Sequence, residues 1–202
     1  MDKNIITKSI EYVGDDTVVV DCVITGGIPS IKTNMTLINP RDTMEHKYKM
    51  YSIVLRHLDG QNKGIQTAHG VCEYVRKHWG DNNLQQWIYW DKTIVMLNGG
   101  TVSDMDMIVE KFTEAGVPFE TFEEEDLSGL TTSICLLADE RVWDRDTYPS
   151  FDEFVKDFTT MGAAMGVSKE TCEKQFTEMY EERVGGHRNA VMKEVLNNLR
   201  LA

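Results

Sequence analysis

The chain has no long apolar run, no paired cysteines and no basic stripe, and each absence removes a class of function. No stretch approaches the roughly 18 apolar residues that a membrane-spanning helix requires, and the polar opening MDKNIITKSIE does not have the charged-then-apolar pattern of a signal peptide. The expectation is a cytoplasmic protein with no membrane partner. Cys22, Cys72, Cys135 and Cys172 lie far apart and form no CxxC pair, so buried thiols are expected rather than a metal site or disulfides. No metal and no cofactor is implied.

Basic charge is the scarcest resource. Formal net charge is −12, and residues 49–138 hold seven basic against thirteen acidic side chains. Binding to an extended nucleic acid draws most of its affinity from Lys and Arg neutralising phosphates. Only a local patch is available here, and Lys49, Arg56 and Lys63 are the candidates for it. What remains is ordinary for a globular chain, with 41% hydrophobic and 27% charged residues over 202 positions.

The most informative stretch is 49–77, KMYSIVLRHLDGQNKGIQTAHGVCEYVRK. Residues 51–55 form a short, mostly apolar run that suits a strand covered on both faces. A polar connector with Asp59 and Gly60 follows, and then Ile65, Ala68, Val71, Cys72 and Val75 recur at helical spacing. Gln66 and His69, three apart on a neighbouring stripe, are expected at the start of that helix and toward the loop, where open α/β sheets bind ligands.

Downstream, residues 92–97 read as a strand and 102–115 as a helix capped by Thr101 or Ser103, with Gly116 as its C′ residue. Strands at 117–123 and 131–137 complete a mixed four-stranded sheet flanked by helices, an α/β architecture with right-handed crossovers. Trp87 and Trp90 offer either a base-stacking platform or a core anchor and a strand lead-in. Glu123, Glu124, Glu125 and Asp126 read as a solvated acidic run without calcium-loop spacing. Asp126 stands apart because Thr131, Thr132 and Ser133 follow it closely, so that a turn sets one carboxylate beside several hydroxyls.

The flanks read as additions. Residues 8–13 and 17–24, joined by Gly14-Asp15-Asp16, form a hairpin, and 31–38 a third strand, giving an N-terminal β-rich extension over 1–48 with a structural or dimer-forming role. After the charged connector 139–149, Ser150 and Glu153 form a capping box, and three short helices with aromatic and Met faces fill a C-terminal extension over 139–202. His187 and Arg188, after Gly185-Gly186, suit a helix-to-helix turn or a closure over phosphate.

A strand led by Lys49 and ended by Arg56, a polar loop, Gln66-x-x-His69, and the segment FEEEDLSGLTTSICL before the last strand together resemble the type II peptidyl-tRNA hydrolases, and the phage-encoded members most of all. The resemblance covers residues 49–138. It implies a peptidyl-tRNA hydrolase II-like α/β core and hydrolysis of an ester or phosphoester in a nucleotide-containing substrate, with the tRNA 3′ end or a nucleotide as partner. His69, Asp126 and Thr131 are then the catalytic candidates, and Lys49, Arg56, Lys63, Gln66 and Thr132 the substrate-binding ones. In such a site a positioned base deprotonates water while donors hold the oxyanion. Two features depart from the family pattern. Gln61-Asn62 stands where a Gly-Lys pair is expected, with Lys63 one step later, and Asp126-Leu127-Ser128-Gly129-Leu130-Thr131 replaces Asp-Ala-Gly-x-Thr. With the acidic surface, these departures suit a second reading, in which a phage protein in the host cytoplasm, alone or as a homodimer, binds or cleaves a small cyclic nucleotide used as an immune signal. A third is an inactive interaction protein.

Overall fold

The computed structural model describes residues 4–12, 18–25, 32–37, 46–162 and 169–202, with side chains over 46–156 and 175–202. The chain divides into two compact units, Met1–Glu45 and His46–Ala202. The first holds β1 (Asn4–Tyr12), β2 (Val18–Thr25) and β3 (Lys32–Leu37), joined in sequence order as an antiparallel sheet. The connectors expected at Gly14-Asp15-Asp16, Gly26-Gly27 and Asn39-Pro40 lie outside the described residues.

The second unit is an α/β body built on an open sheet. Its elements are β4 (Tyr48–Val54), α1 (Gly60–His78), α2 (Asn82–Gln86) leading into a π-helical turn (Trp87–Asp91), β5 (Ile94–Asn98), α3 (Val102–Glu114), β6 (Phe119–Glu124) and β7 (Leu130–Asp139). Then come α4 (Glu140–Trp143), α5 (Phe151–Gly162), α6 (Lys169–Val184), α7 (His187–Asn198) and β8 (Arg200–Leu201). The strand order is β6-β7-β4-β5-β8; β4 and β5 run parallel and the other pairs antiparallel. The sheet therefore has five strands rather than four. The chain's last residues supply β8, two residues too short for a hydropathy pattern to register.

The caps follow the local chemistry. Asp59 Oδ1 accepts from Asn62 N (2.8 Å) to start α1, and Thr101 and Asp104 form a reciprocal capping box at α3. Gly116 ends α3 at φ +65°, where a side chain would be strained. Ser150 and Glu153 exchange the bonds of a second box at α5. Gly185 and Gly186, at φ +88° and +112°, make a helix-to-helix turn in which His187 Nδ1 lies 2.8 Å from Glu181 Oε1.

The two faces of the sheet are packed differently. Tyr51 and Ile53 of β4, Leu55 just after it, and Ile134, Leu136 and Ala138 of β7 join Met105, Ile108 and Phe112 of α3 and Met192, Val195 and Leu196 of α7 in one large apolar core. The other face holds a smaller cluster, Met50, Tyr74, Leu84, Trp87 and Cys135. Trp87 is thus a core anchor whose Nε1 donates to Thr93 O (2.9 Å), while Trp90 is exposed within the π-helical turn and does not lead into a strand.

Helix α1 follows the expected apolar stripe only in part: Val71 and Val75 pack inward against the cluster around Tyr74, but the rest of the stripe does not. It buries Gln66, Thr67, Gly70 and Tyr74, while Ile65, Ala68 and Cys72 are exposed. The sheet face beneath supplies the reason, since Ser52, Thr132 and Ser133 are fully buried there and bond to this polar side of the helix. The expectation of buried thiols fails at Cys72 on the same account; Cys135 is buried, and that burial pushes its thiol up to about 12. Among the described residues no helix is long and apolar enough to cross a membrane.

Candidate functional site

Because β4, β5 and β6 share one direction and β7 opposes them, one edge of the sheet collects the β4–α1 loop, the β5–α3 loop and the β6–β7 turn. Helix α1 leaves β4 toward one face, where Val71 and Tyr74 pack with Met50 and Cys135. Helix α3 leaves the adjacent β5 toward the other, where Met105 and Phe112 pack with Ile53 and Ile134. The edge between them is therefore a topological switch point, the usual place for a ligand in an open α/β sheet. Main-chain bonds hold the edge together, with Leu55 N donating to Thr132 O (3.0 Å), Arg56 N to Gly100 O (2.9 Å) and Gly99 N to Val54 O (2.8 Å).

A bulge prepares the site. Phe122 pairs with Ser133 and Glu123 with Thr131, leaving Thr132 as the extra residue in β7. Its hydroxyl donates to Gln66 Oε1 (2.7 Å) and lies 3.2 Å from Phe122 O. With Oε1 engaged, the Gln66 amide nitrogen points at Glu124 and donates to its Oε2 (2.6 Å). Ser133 Oγ donates to Gln66 O (2.9 Å), and at the next residue of the helix Ser52 Oγ donates to Thr67 Oγ1 (3.0 Å). This relay is nearly dry, Gln66 being 6% exposed and Thr132 fully buried. Hydrogen bonds so shielded from water fix orientation strongly, because breaking one strands a buried polar atom.

Helix α1 grips β6 at three levels. Gln66 meets Glu124; His69 stacks on Phe122 with ring centroids 4.5 Å apart and planes 23° from parallel; Lys77 and His78 both reach Glu120. Gly70 lets the helix come this close, since a Cβ there would stand 2.5 Å from Ser133 Oγ and 2.6 Å from Cys135 Sγ.

The expected residues divide accordingly. Gln66 and Thr132 are brought together, as bonded partners inside the relay and not as free groups facing a ligand. His69 is exposed and lies flat on Phe122; Asp126 is exposed in a 3-10 turn (Glu125–Leu127); Thr131 is half-buried at the start of β7. Among the described residues no hydrogen bond joins these three. Arg56 is exposed at the loop mouth, near enough to Asp104 to help hold that carboxyl low, although the bonds from Thr101 are the main cause. Lys63 is half-buried in the first turn of α1.

Lys49 does not belong to the patch. It is the second residue of β4 while Arg56 follows the strand's end, a separation of roughly 20 Å at strand rise. Its ammonium instead lies 3.3 Å from the centroid of the Trp143 ring, and burial lowers its pKa. At that opposite edge Arg141 Nε and Nη2 both bond Asp139; burial alone would raise that carboxyl, and the paired guanidinium holds it low.

Sequence reasoning treated Glu124 as one of four solvated acids and passed over Phe122. The signal was in FETFEE, where positions 120, 122 and 124 alternate onto one face of a strand. No protein-family model matches the chain, and no curated protein matches it either. Among the described residues no group of three His, Cys, Asp or Glu side chains is placed to hold a metal.

Proposed function

We propose that the chain is a peptidyl-tRNA hydrolase II-like protein that hydrolyses an ester or phosphoester in a nucleotide-containing substrate at the Gln66 edge of the sheet. The observation that carries this reading is the Gln-x-x-His helix start, which lies across from a carboxylate and threonines at the carboxyl end of a parallel strand. Hydrolysis there needs a carboxylate to take a proton from water, and donors to hold the developing oxyanion. Thr131, Arg56 and Lys63 are the groups at the edge suited to carbonyl or phosphate contact.

One observation favours a small nucleotide over whole tRNA. With Lys49 at the opposite edge, the expected cationic patch reduces to Arg56 and Lys63 in a chain of net charge −12. A small ligand needs only a local cationic site, whereas tRNA needs an extended track. A cyclic nucleotide immune signal, bound or cleaved, is the second reading.

The test is to incubate the purified protein with peptidyl-tRNA and, in parallel, with cyclic di- and trinucleotides, following cleavage and melting temperature. Release of free tRNA supports the esterase. Cleavage of a cyclic nucleotide with tRNA untouched supports a hydrolase turned to a small substrate, and a melting shift without cleavage supports sequestration. Neither cleavage nor a shift leaves the inactive interaction protein.

A further inference from the structure

We infer that Glu124, held by Gln66, is the carboxylate that activates water in this site, and that Asp126 is not. The inference rests on the hydrolytic reading above and specifies which group does its chemistry.

A general base must be fixed in place and keep one oxygen free for the water. Of the four consecutive acids from Glu123 to Asp126, Glu124 is the one that meets both conditions. Its Oε2 is anchored by the Gln66 amide at 2.6 Å, and that amide cannot turn over without losing the Thr132 hydroxyl at 2.7 Å. Among the described residues its Oε1 accepts no hydrogen bond. Glu123, Glu125 and Asp126 are exposed and form no side-chain hydrogen bond or ion pair with any described residue, whereas Glu124 is half-buried. Thr132 and Gln66 are positioning residues in this scheme. They act on the reaction through the carboxylate, as outer-shell groups act on the ligands they orient.

The proton and electron balance is that of ester hydrolysis. Glu124 Oε1 takes a proton from water as the water oxygen bonds to the acyl carbon and the carbonyl π pair moves to oxygen. The tetrahedral intermediate collapses with cleavage of the acyl carbon to ribose oxygen bond. The leaving ribose oxygen recovers the proton from the Glu124 carboxylic acid, giving a free carboxylic acid and a hydroxyl.

Glu124→Gln is the deciding variant, because its amide oxygen still accepts from Gln66 Nε2 while its basicity is gone. The expected result with peptidyl-tRNA is a fall of about 100-fold or more in kcat, with KM within about twofold and an unchanged melting temperature. Glu124→Asp should recover part of the rate. Asp126→Asn should lose at least tenfold less than Glu124→Gln, and Glu123→Gln should behave as wild type. An Asp126→Asn variant that is dead beside an active Glu124→Gln overturns the assignment and leaves the hydrolase intact. Equal loss of rate and of melting temperature in Glu124→Gln and Glu124→Asp also overturns it, since Glu124 would then be structural. A wild-type protein that cleaves nothing removes the hydrolytic reading and this inference with it.

Discussion

The two faces of the five-stranded sheet are held by different physics. Under α3 and α7 the contacts are apolar and non-directional, fifteen buried residues forming one continuous core. Under α1 a helix with a polar inner side is fastened by hydroxyls, a glutamine and a glycine, with only five buried residues in its cluster. Apolar burial scales with area and tolerates reshaping, whereas a satisfied buried network has few alternatives. The first face therefore supplies stability, and the second supplies geometry to the edge that carries the candidate site.

The contrast is open to direct attack. Phe112, fully buried at the centre of the apolar face, should cost about 3–5 kcal/mol in urea unfolding when replaced by Ala. The turnover of the remaining folded molecules should be unchanged, and a lost rate would break the division of labour. On the polar face, Thr132→Val keeps the shape but strands Gln66 Oε1, so a loss of about 1–3 kcal/mol is expected together with a clear drop in kcat. A stability loss without a kcat effect would reduce the relay to packing.

Lys193 tests whether the apolar side tolerates a charge. It is fully buried, donates to Arg141 O (3.3 Å) and Val142 O (2.9 Å), and burial lowers its pKa from 10.5 to about 8, with Arg145 adding to the fall and Asp144 and Glu153 opposing it. Between those values the unfolded chain binds more protons than the folded one, so stability should rise as pH climbs from about 8 toward 10. Lys193→Met should flatten that rise in the urea midpoint. The smallest effect belongs to Lys77, half-exposed beside Glu120 at the far end of α1, where replacement by Ala should cost roughly 0.2–1 kcal/mol and fade in salt.

Much of the body was legible from its residues. The main strands and the helices at 60–78 and 102–114 follow from hydropathy period and caps, because Thr101, Gly116 and the run at 51–55 each have a single inexpensive conformation, whereas the short helix at 82–86 and the π-helical turn after it were not foreseen. The facing of α1 was not legible. Its apolar stripe at Ile65, Ala68 and Cys72 is real, but side chains 66 and 67 find hydroxyls on strands β4 and β7, and only the fold reveals which helix side meets them. The same limit hid Glu124, since its partner is 58 residues away in sequence. Lys49 was misjudged for a simpler reason, as the two ends of a strand are neighbours in sequence and far apart in space.

Strand β6 is outermost in its sheet, and among the described residues no strand pairs with its outer edge, which makes that edge a template for a further strand, including the same strand of another molecule. Glu123, exposed on that strand, brings like charges side by side when two such strands pair. Replacing that charge by a neutral residue removes the guard, and β6 is where self-association of this protein should then begin.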